Sequence, residues 1–279
     1  MDPSSALAVF FGISVVAGFV GALSGMGGGV VLIPALTLLG MDIKQAIAIT
    51  MVAVIATSSG AASAYVRDRI TNLKVGMFLE MFAIVGALAG ATITLSAPRR
   101  PLFILFGLVL FISWASLFAR QGEHWRQAAQ PDRVSRWLEL HGSYEDRASG
   151  EIVRYHATRA YLGGPLMFGV GLVAGLLGIG AGSLKVVILD LVMGLPPKVS
   201  TTTSNLIIGV TALAGTSVYL AAGAIDPILA APVILGVLAG AFVGTRVLVR
   251  LTNQTVRRFF LVVLAILGIE MIVRGLRGG

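Results

Sequence analysis

The segment Gly171–Gly182, GLVAGLLGIGAG, and its twin Gly18–Gly29, GFVGALSGMGGG, each interrupt a long apolar run with glycines. Backbone in lipid must satisfy its own hydrogen bonds, so an apolar run of this kind is committed to helix. Glycine inside a helix costs about 1 kcal/mol against alanine. Gly25, Gly27, Gly28 and Gly29, and again Gly178, Gly180 and Gly182, therefore predict a break in each helix. Broken backbone at membrane depth is tolerated only where it is buried in protein or lines a polar cavity. Matching breaks in two halves of a chain point to a transporter's binding site.

Composition supports the membrane setting. The chain is 56% hydrophobic and 12% charged, with a mean hydropathy of +0.91. A soluble domain carries about 25% charge, and about 20 apolar residues span a bilayer as helix. The predicted class is an all-α polytopic membrane protein. Its net charge of +8 is explained by the positive-inside rule rather than by nucleic-acid binding. The N-terminal MDPSSALAVFF has no basic n-region and no A-x-A site, so it is expected to enter the first helix directly.

In chain order, a first segment (5–23) meets the break, and a short arm (30–39) follows it to Gly40-Met41-Asp42. Ten residues of helix rise about 15 Å, half of a hydrocarbon core of about 30 Å, which places the break near mid-membrane. Three long segments complete the half: 43–66, 73–97 and 102–119. Residues 120–158 change character, mixing arginines with acids and holding all three histidines. They are read as a cytoplasmic polar linker, with a short amphipathic helix at 131–140 and a hairpin over 143–156 turning at Ala148-Ser149-Gly150.

The membrane pattern then repeats. A segment at 159–177 leads into the second break, and 183–193 forms the short arm. Long segments at 199–222, 227–249 and 256–273 follow. GVLAGA at Gly236–Ala241 differs from GALAGA at Gly86–Ala91 at one position. The predicted domains are an N-terminal membrane repeat (1–119), the linker (120–158) and a C-terminal membrane repeat (159–279). Five segments per half make the second repeat inverted relative to the first. With the linker in the cytoplasm, the outer side collects only Lys44, Arg99, Arg100, Arg274 and Arg277 of the 21 basic residues, and Lys185 stays within the membrane. The expected architecture is two inverted five-segment repeats, each beginning with a helix hairpin broken at a glycine-rich tip.

The chemistry follows from the breaks. A helix that starts there points free N–H groups and the positive end of its dipole into the membrane, which suits an anion. Inversion brings two such ends together. Ser24 and Ser183 flank the breaks, and Lys185 lies three residues past Gly182. A lysine at a helix centre costs about 2.5–3.5 kcal/mol, so it needs a partner: the substrate anion, Asp190, or solvent reached by snorkelling. Thr50, with Thr57, Ser58 and Ser59 nearby, matches the region of Thr201–Asn205, in which Thr203, Ser204 and Asn205 are candidate neutral donors. Helix packing is the alternative role for each hydroxyl. Glu80 is expected to snorkel at a cytoplasmic end, and Glu270 to pair with Arg274 one turn later. The histidines lack metal-ligand spacing, no cofactor is called for, and the glycine patterns lack the βαβ context of a nucleotide fingerprint.

GFVGALSGMGGGVVLIPALTLLG, its repeat GLVAGLLGIGAGSLKVVILDLVMGLPPKVSTTTSNL and the linker HGSYEDRASGEIVRYHATRAYLGG resemble the TauE/SafE family of sulfite exporters. The resemblance covers almost the whole chain. It implies a permease of the bacterial inner membrane for sulfite or an organosulfonate, alternating access around the midplane site, with substrate, direction and proton coupling left open. Ala181 departs from a GxGGG pattern associated with the second break. An intramembrane enzyme is disfavoured, since no span holds a histidine or a second aspartate at the depth of Asp190. A transporter or channel for another solute or a cation is the rival, although a cation site would favour acids at the breaks.

Overall fold

Apolar stretches closed by Gly, Pro, Asn or charged residues become helices that end where those residues stand. The structure is a computed structural model that describes residues 3–24, 28–67, 69–119, 130–146, 151–248 and 253–277. Gly25, Gly27, residues 120–129 and the expected turn at 148–150 lie outside the described residues. Helix α1 (Pro3–Ser24) is followed by the short arm α2 (Gly29–Leu38) and by three long helices: α3 (Ile43–Arg67), α4 (Leu73–Ser96) and α5 (Arg99–Ala119). Helix α5 begins three residues before the segment expected at 102–119 and takes in Pro101, since a proline is tolerated in the first helical turn. In the linker, the expected amphipathic helix shrinks to α6 (Arg133–Trp137). The expected hairpin is present as antiparallel β1 (His141–Asp146) and β2 (Glu151–His156), with His141 opposite His156.

The second half runs α7 (Ala160–Leu177), α8 (Gly182–Val187), a π-helical turn over Ile188–Val192, then α9 (Pro197–Ala221), α10 (Pro227–Leu248) and α11 (Asn253–Arg277). The second arm is thus not uniform helix: it widens at its end, where the Met193 amide donates to Ile188 O at 3.0 Å. Among the described residues five helices are long and apolar enough to cross a membrane, α4, α5, α7, α9 and α10. Their outward faces carry large apolar side chains, as at Met77, Met81 and Val85 along α4.

Packing crosses between the halves. Helix α1 lies on α10, α4 on α7, α5 on α11 and α3 on α9. The first two pairs are backbone-close. A Cβ at Gly90 would sit 2.1 Å from Leu172 O, and one at Gly175 2.2 Å from Ala87 O. In the other pair the corresponding distances are 1.9 Å from Gly240 to Val15 O and 2.2 Å from Gly18 to Val237 O. Small residues allow this approach in lipid, where dispersion and close packing replace the hydrophobic drive between helices.

Bonds at the ends fix helix directions. Lys44, at the start of α3, donates from Nζ to Leu95 O at the end of α4 (2.8 Å), and Arg99 at the start of α5 pairs with Asp42 at 2.6 Å. At the other end, the Asn72 amide, just before α4, donates to Thr203 Oγ1 in the first turns of α9 at 3.1 Å. Asn72 also caps α4 through Val75 N and donates from Nδ2 to Tyr155 Oη, docking the hairpin there. Burial drives the Tyr155 hydroxyl up from its ordinary pKa, and the bond from Asn72 opposes that shift. Glu270 and Arg274 form the expected i,i+4 pair at 2.8 Å, and Arg274 also donates to Thr37 O at 2.9 Å.

The glycine breaks and a buried Lys–Thr–Glu cluster

Left-handed residues mark the second break and the described end of the first. Helix α7 ends at Gly178 (φ 67°), whose amide still reaches Ala174 O at 2.8 Å; Gly180 (φ 68°) and Ala181 (φ 48°) follow before α8 starts. Gly28 (φ 72°) stands at the same point before α2. A positive φ is free for glycine and costly for a residue with a Cβ. The departure at Ala181 is therefore a strained alanine in the position that Gly28 holds in the first break.

The two breaks touch. A Cβ at Gly29 would lie 3.0 Å from Gly178 O, 3.0 Å from Thr50 Cγ2 and 3.1 Å from Ile179 Cα. Gly180 packs on Ile208 and Val54, each near the middle of its 25-residue helix. The second break is accordingly level with the midpoints of α3 and α9. The first N–H groups of a helix have no acceptor within it. Helices α2 and α8 start at Gly29 and Gly182, both buried, and the start of α2 lies against Gly178 and Ile179 at the end of α7.

The side chains predicted for the site divide into two groups. Ser204 Oγ donates to Gly182 O at 3.3 Å, and Thr50, its counterpart on α3, packs on Gly29. Thr50 is fully buried and its hydroxyl makes no hydrogen bond among the described residues; the same holds for Ser58. Ser183 shares a 2.6 Å hydrogen bond with Ser113 of α5. Thr203 and Asn205 point elsewhere. Thr203 holds Asn72 at the linker end, and Asn205 Nδ2 turns back to Thr201 O at 3.1 Å. Ser24 is the last residue of α1.

Lys185 is 0% exposed. Its Nζ donates to Thr211 Oγ1 of α9 at 2.8 Å, and Thr211 Oγ1 lies 3.1 and 3.4 Å from the two carboxylate oxygens of Glu80 on α4. The expectation that Glu80 snorkels to a cytoplasmic end is corrected: it is 8% exposed and faces Lys185 across Thr211. A buried lysine needs a counter-charge, and the carboxylate that supplies it is Glu80. Neither Thr211 nor Glu80 was singled out as a site residue from sequence. An acid well inside an apolar run was the available signal for Glu80, since such residues in spans mark function by default.

A cavity of about 530 Å³ lies between α3 and α9, lined among others by Ile55, Ser59, Leu206 and Gly209. No cluster of three or more His, Asp or Glu with metal-binding proximity occurs among the described residues.

The sequence profile of the family described as sulfite exporter TauE/SafE matches residues 10–271. The chain is 26% identical over 272 residues to "Probable membrane transporter protein YunE" of Bacillus subtilis (strain 168), covering 95% of this chain and 96% of that one. It is 27% identical over 239 residues to "Probable membrane transporter protein YdhB" of the same organism, covering 85% and 87%. No solved structure matches the chain.

Proposed function

Since this chain belongs to the TauE/SafE sulfite exporter family and is a multi-pass membrane transporter, we propose that it is a permease for a small sulfur oxyanion, sulfite or an organosulfonate. The anion binds between the two broken tips and is exposed alternately to either side of a bacterial inner membrane. The observation that carries this reading is the contact between the tips, Gly29 against Gly178 and Ile179, at the depth where α3 and α9 reach their midpoints. Helix N-termini stabilise negative charge through free amides and the dipole. The unpartnered hydroxyl of Thr50 lies against one tip and the fully buried Lys185 belongs to the other arm.

Two inverted repeats suit the packing. Helix α9 starts at the end where α4 starts, through Asn72 and Thr203, while α3 starts where α4 finishes, through Lys44 and Leu95. The counterparts α3 and α9 therefore run in opposite directions. The cross-pairs α1 with α10 and α4 with α7 exchange under the same operation. Inverted repeats place the binding site at their interface and let one bundle rock against the other.

The test is counterflow in proteoliposomes loaded with unlabelled sulfite or methanesulfonate. Labelled sulfite or methanesulfonate should accumulate transiently against its own gradient, and labelled sodium or potassium should not. Counterflow of the cation alone would overturn the anion reading.

A further inference from the structure

Glu80 takes no part in the anion site just described, yet α4, α8 and α9 each contribute one residue to bury it with a cation. Thr211 sits between the two charges. Its hydroxyl has one proton and two lone pairs. Two acceptors compete for that proton, Glu80 Oε1 at 3.1 Å and the Ile207 carbonyl one turn back at 2.5 Å. Lys185 Nζ takes one of the lone pairs at 2.8 Å.

This arrangement keeps the Glu80 carboxyl hydrogen-bonded to Thr211 in either protonation state. When the carboxylate is ionised, the Thr211 hydroxyl donates to it. When Glu80 is a carboxylic acid, its O–H donates to the second lone pair of Thr211, whose own proton turns to Ile207 O. The ammonium of Lys185 donates to Thr211 in both states. A threonine with a free rotor and two acceptors is what a proton-accepting carboxylate needs in a place that water does not solvate.

Charge balance says when each state is favoured. Lys185 and an ionised Glu80 sum to zero. A monovalent anion beside Lys185 leaves the buried group at minus one, in surroundings where an uncompensated charge is costly. One proton on Glu80 restores neutrality. The charged and titratable groups on the elements packed around Glu80 are Lys185 and Asp190 on the arm, Lys198 and Tyr219 on α9, and Tyr161 on α7. Lys198 and Tyr161 are exposed, and the Tyr219 hydroxyl donates to Gly175 O at 2.8 Å. The charge that acts on Glu80 is that of Lys185.

We propose that Glu80 is the proton-binding site of the transport cycle: each anion that docks beside Lys185 is matched by one proton from water on the Glu80 carboxylate, and both leave on the other side. Transport of a monovalent anion is then electroneutral. This rests on the anion-permease reading above.

The probe is methanesulfonate, whose charge is constant with pH, so any proton that moves with it moves on the protein. In proteoliposomes, the wild type should accumulate labelled methanesulfonate several-fold on an acid-outside pH gradient and ignore a potassium diffusion potential. Glu80→Gln should lose the response to the pH gradient, and the transport that remains should become driven by an inside-positive potential. Glu80→Asp should retain the coupling. Wild-type counterflow without a response to the pH gradient, or an unchanged response in Glu80→Gln, overturns the proposal and leaves the anion reading intact. A wild type with no counterflow of either anion fails at the anion reading and removes the coupling with it. Should Glu80→Gln not insert, carbodiimide modification of wild-type Glu80, which requires a protonated carboxyl, must rise several-fold with methanesulfonate; an unchanged yield overturns the proposal.

Discussion

Gly29 of the first break lies against Gly178 of the second, so close that a single added methyl at Gly29 would meet the Gly178 carbonyl oxygen at 3.0 Å. Residues from opposite halves of the chain meet there backbone to backbone, with Thr50 Cγ2 equally close. A site made from such a contact presents amides and carbonyls, which a scan of side chains passes over.

Replacement of that glycine separates binding from packing. Gly29→Ala should weaken sulfite binding at least tenfold while the protein still inserts, since the neighbours of the added Cβ must give by only a few tenths of an ångström. Gly90→Val should instead lose the folded protein, because its Cβ would fall 2.1 Å from Leu172 O in the α4–α7 seam. Affinity and melting temperature measured on both variants in detergent decide the matter. Parent-like binding by Gly29→Ala would remove the tip-to-tip site.

The buried charges make a second prediction. Lys185→Met strands Glu80 without its cation and should cost about 3–5 kcal/mol. The double change Lys185→Met with Glu80→Gln should recover most of that stability but not the affinity for sulfite. Recovery of both would mean that Lys185 is structural only.

Ala181 carries strain that can be relieved. Ala181→Gly removes a Cβ from a residue at φ 48° and should raise stability by about 0.5–1 kcal/mol, net of the entropy glycine adds to the unfolded chain. A thermal melt checks it, and a lowered melting temperature would show that the Ala181 methyl packs better than its backbone suffers.

Asn72 ties four pieces together: its own helix, α9, and both strands of the hairpin through His141 O and Tyr155 Oη. Asn72→Ala should cost about 1–2 kcal/mol from the lost cap alone. It should also speed proteolysis within residues 120–158, measured as the rate of cleavage into two membrane fragments.

Sidedness has a direct test, because the chain has no cysteine. Ser143→Cys should react with an impermeant maleimide only from the cytoplasm, and Ala224→Cys only from outside. The reverse pattern, or equal labelling, would refute the inverted arrangement.

The course of the helices was legible in the residues alone, since lipid leaves an apolar run of this length no other backbone. So were the arms, because glycines interrupt the runs at matching places and Gly40 and Gly194 end them. The pairing of Glu270 with Arg274 was legible for the same local reason, one helical turn of spacing. What tertiary structure decided lies between elements. The run Thr201–Asn205 reads as one polar cluster, but a helix turns about 100° per residue. Thr203 therefore meets Asn72 at the start of α4, where the hairpin docks, while Ser204 meets the break. Glu80 looks like an acid near a helix end until α8 and α9 bring Lys185 and Thr211 beside it, from more than a hundred residues away. Local spacing governs what a single helix can do. A buried charge is settled by whichever distant helix arrives with its opposite.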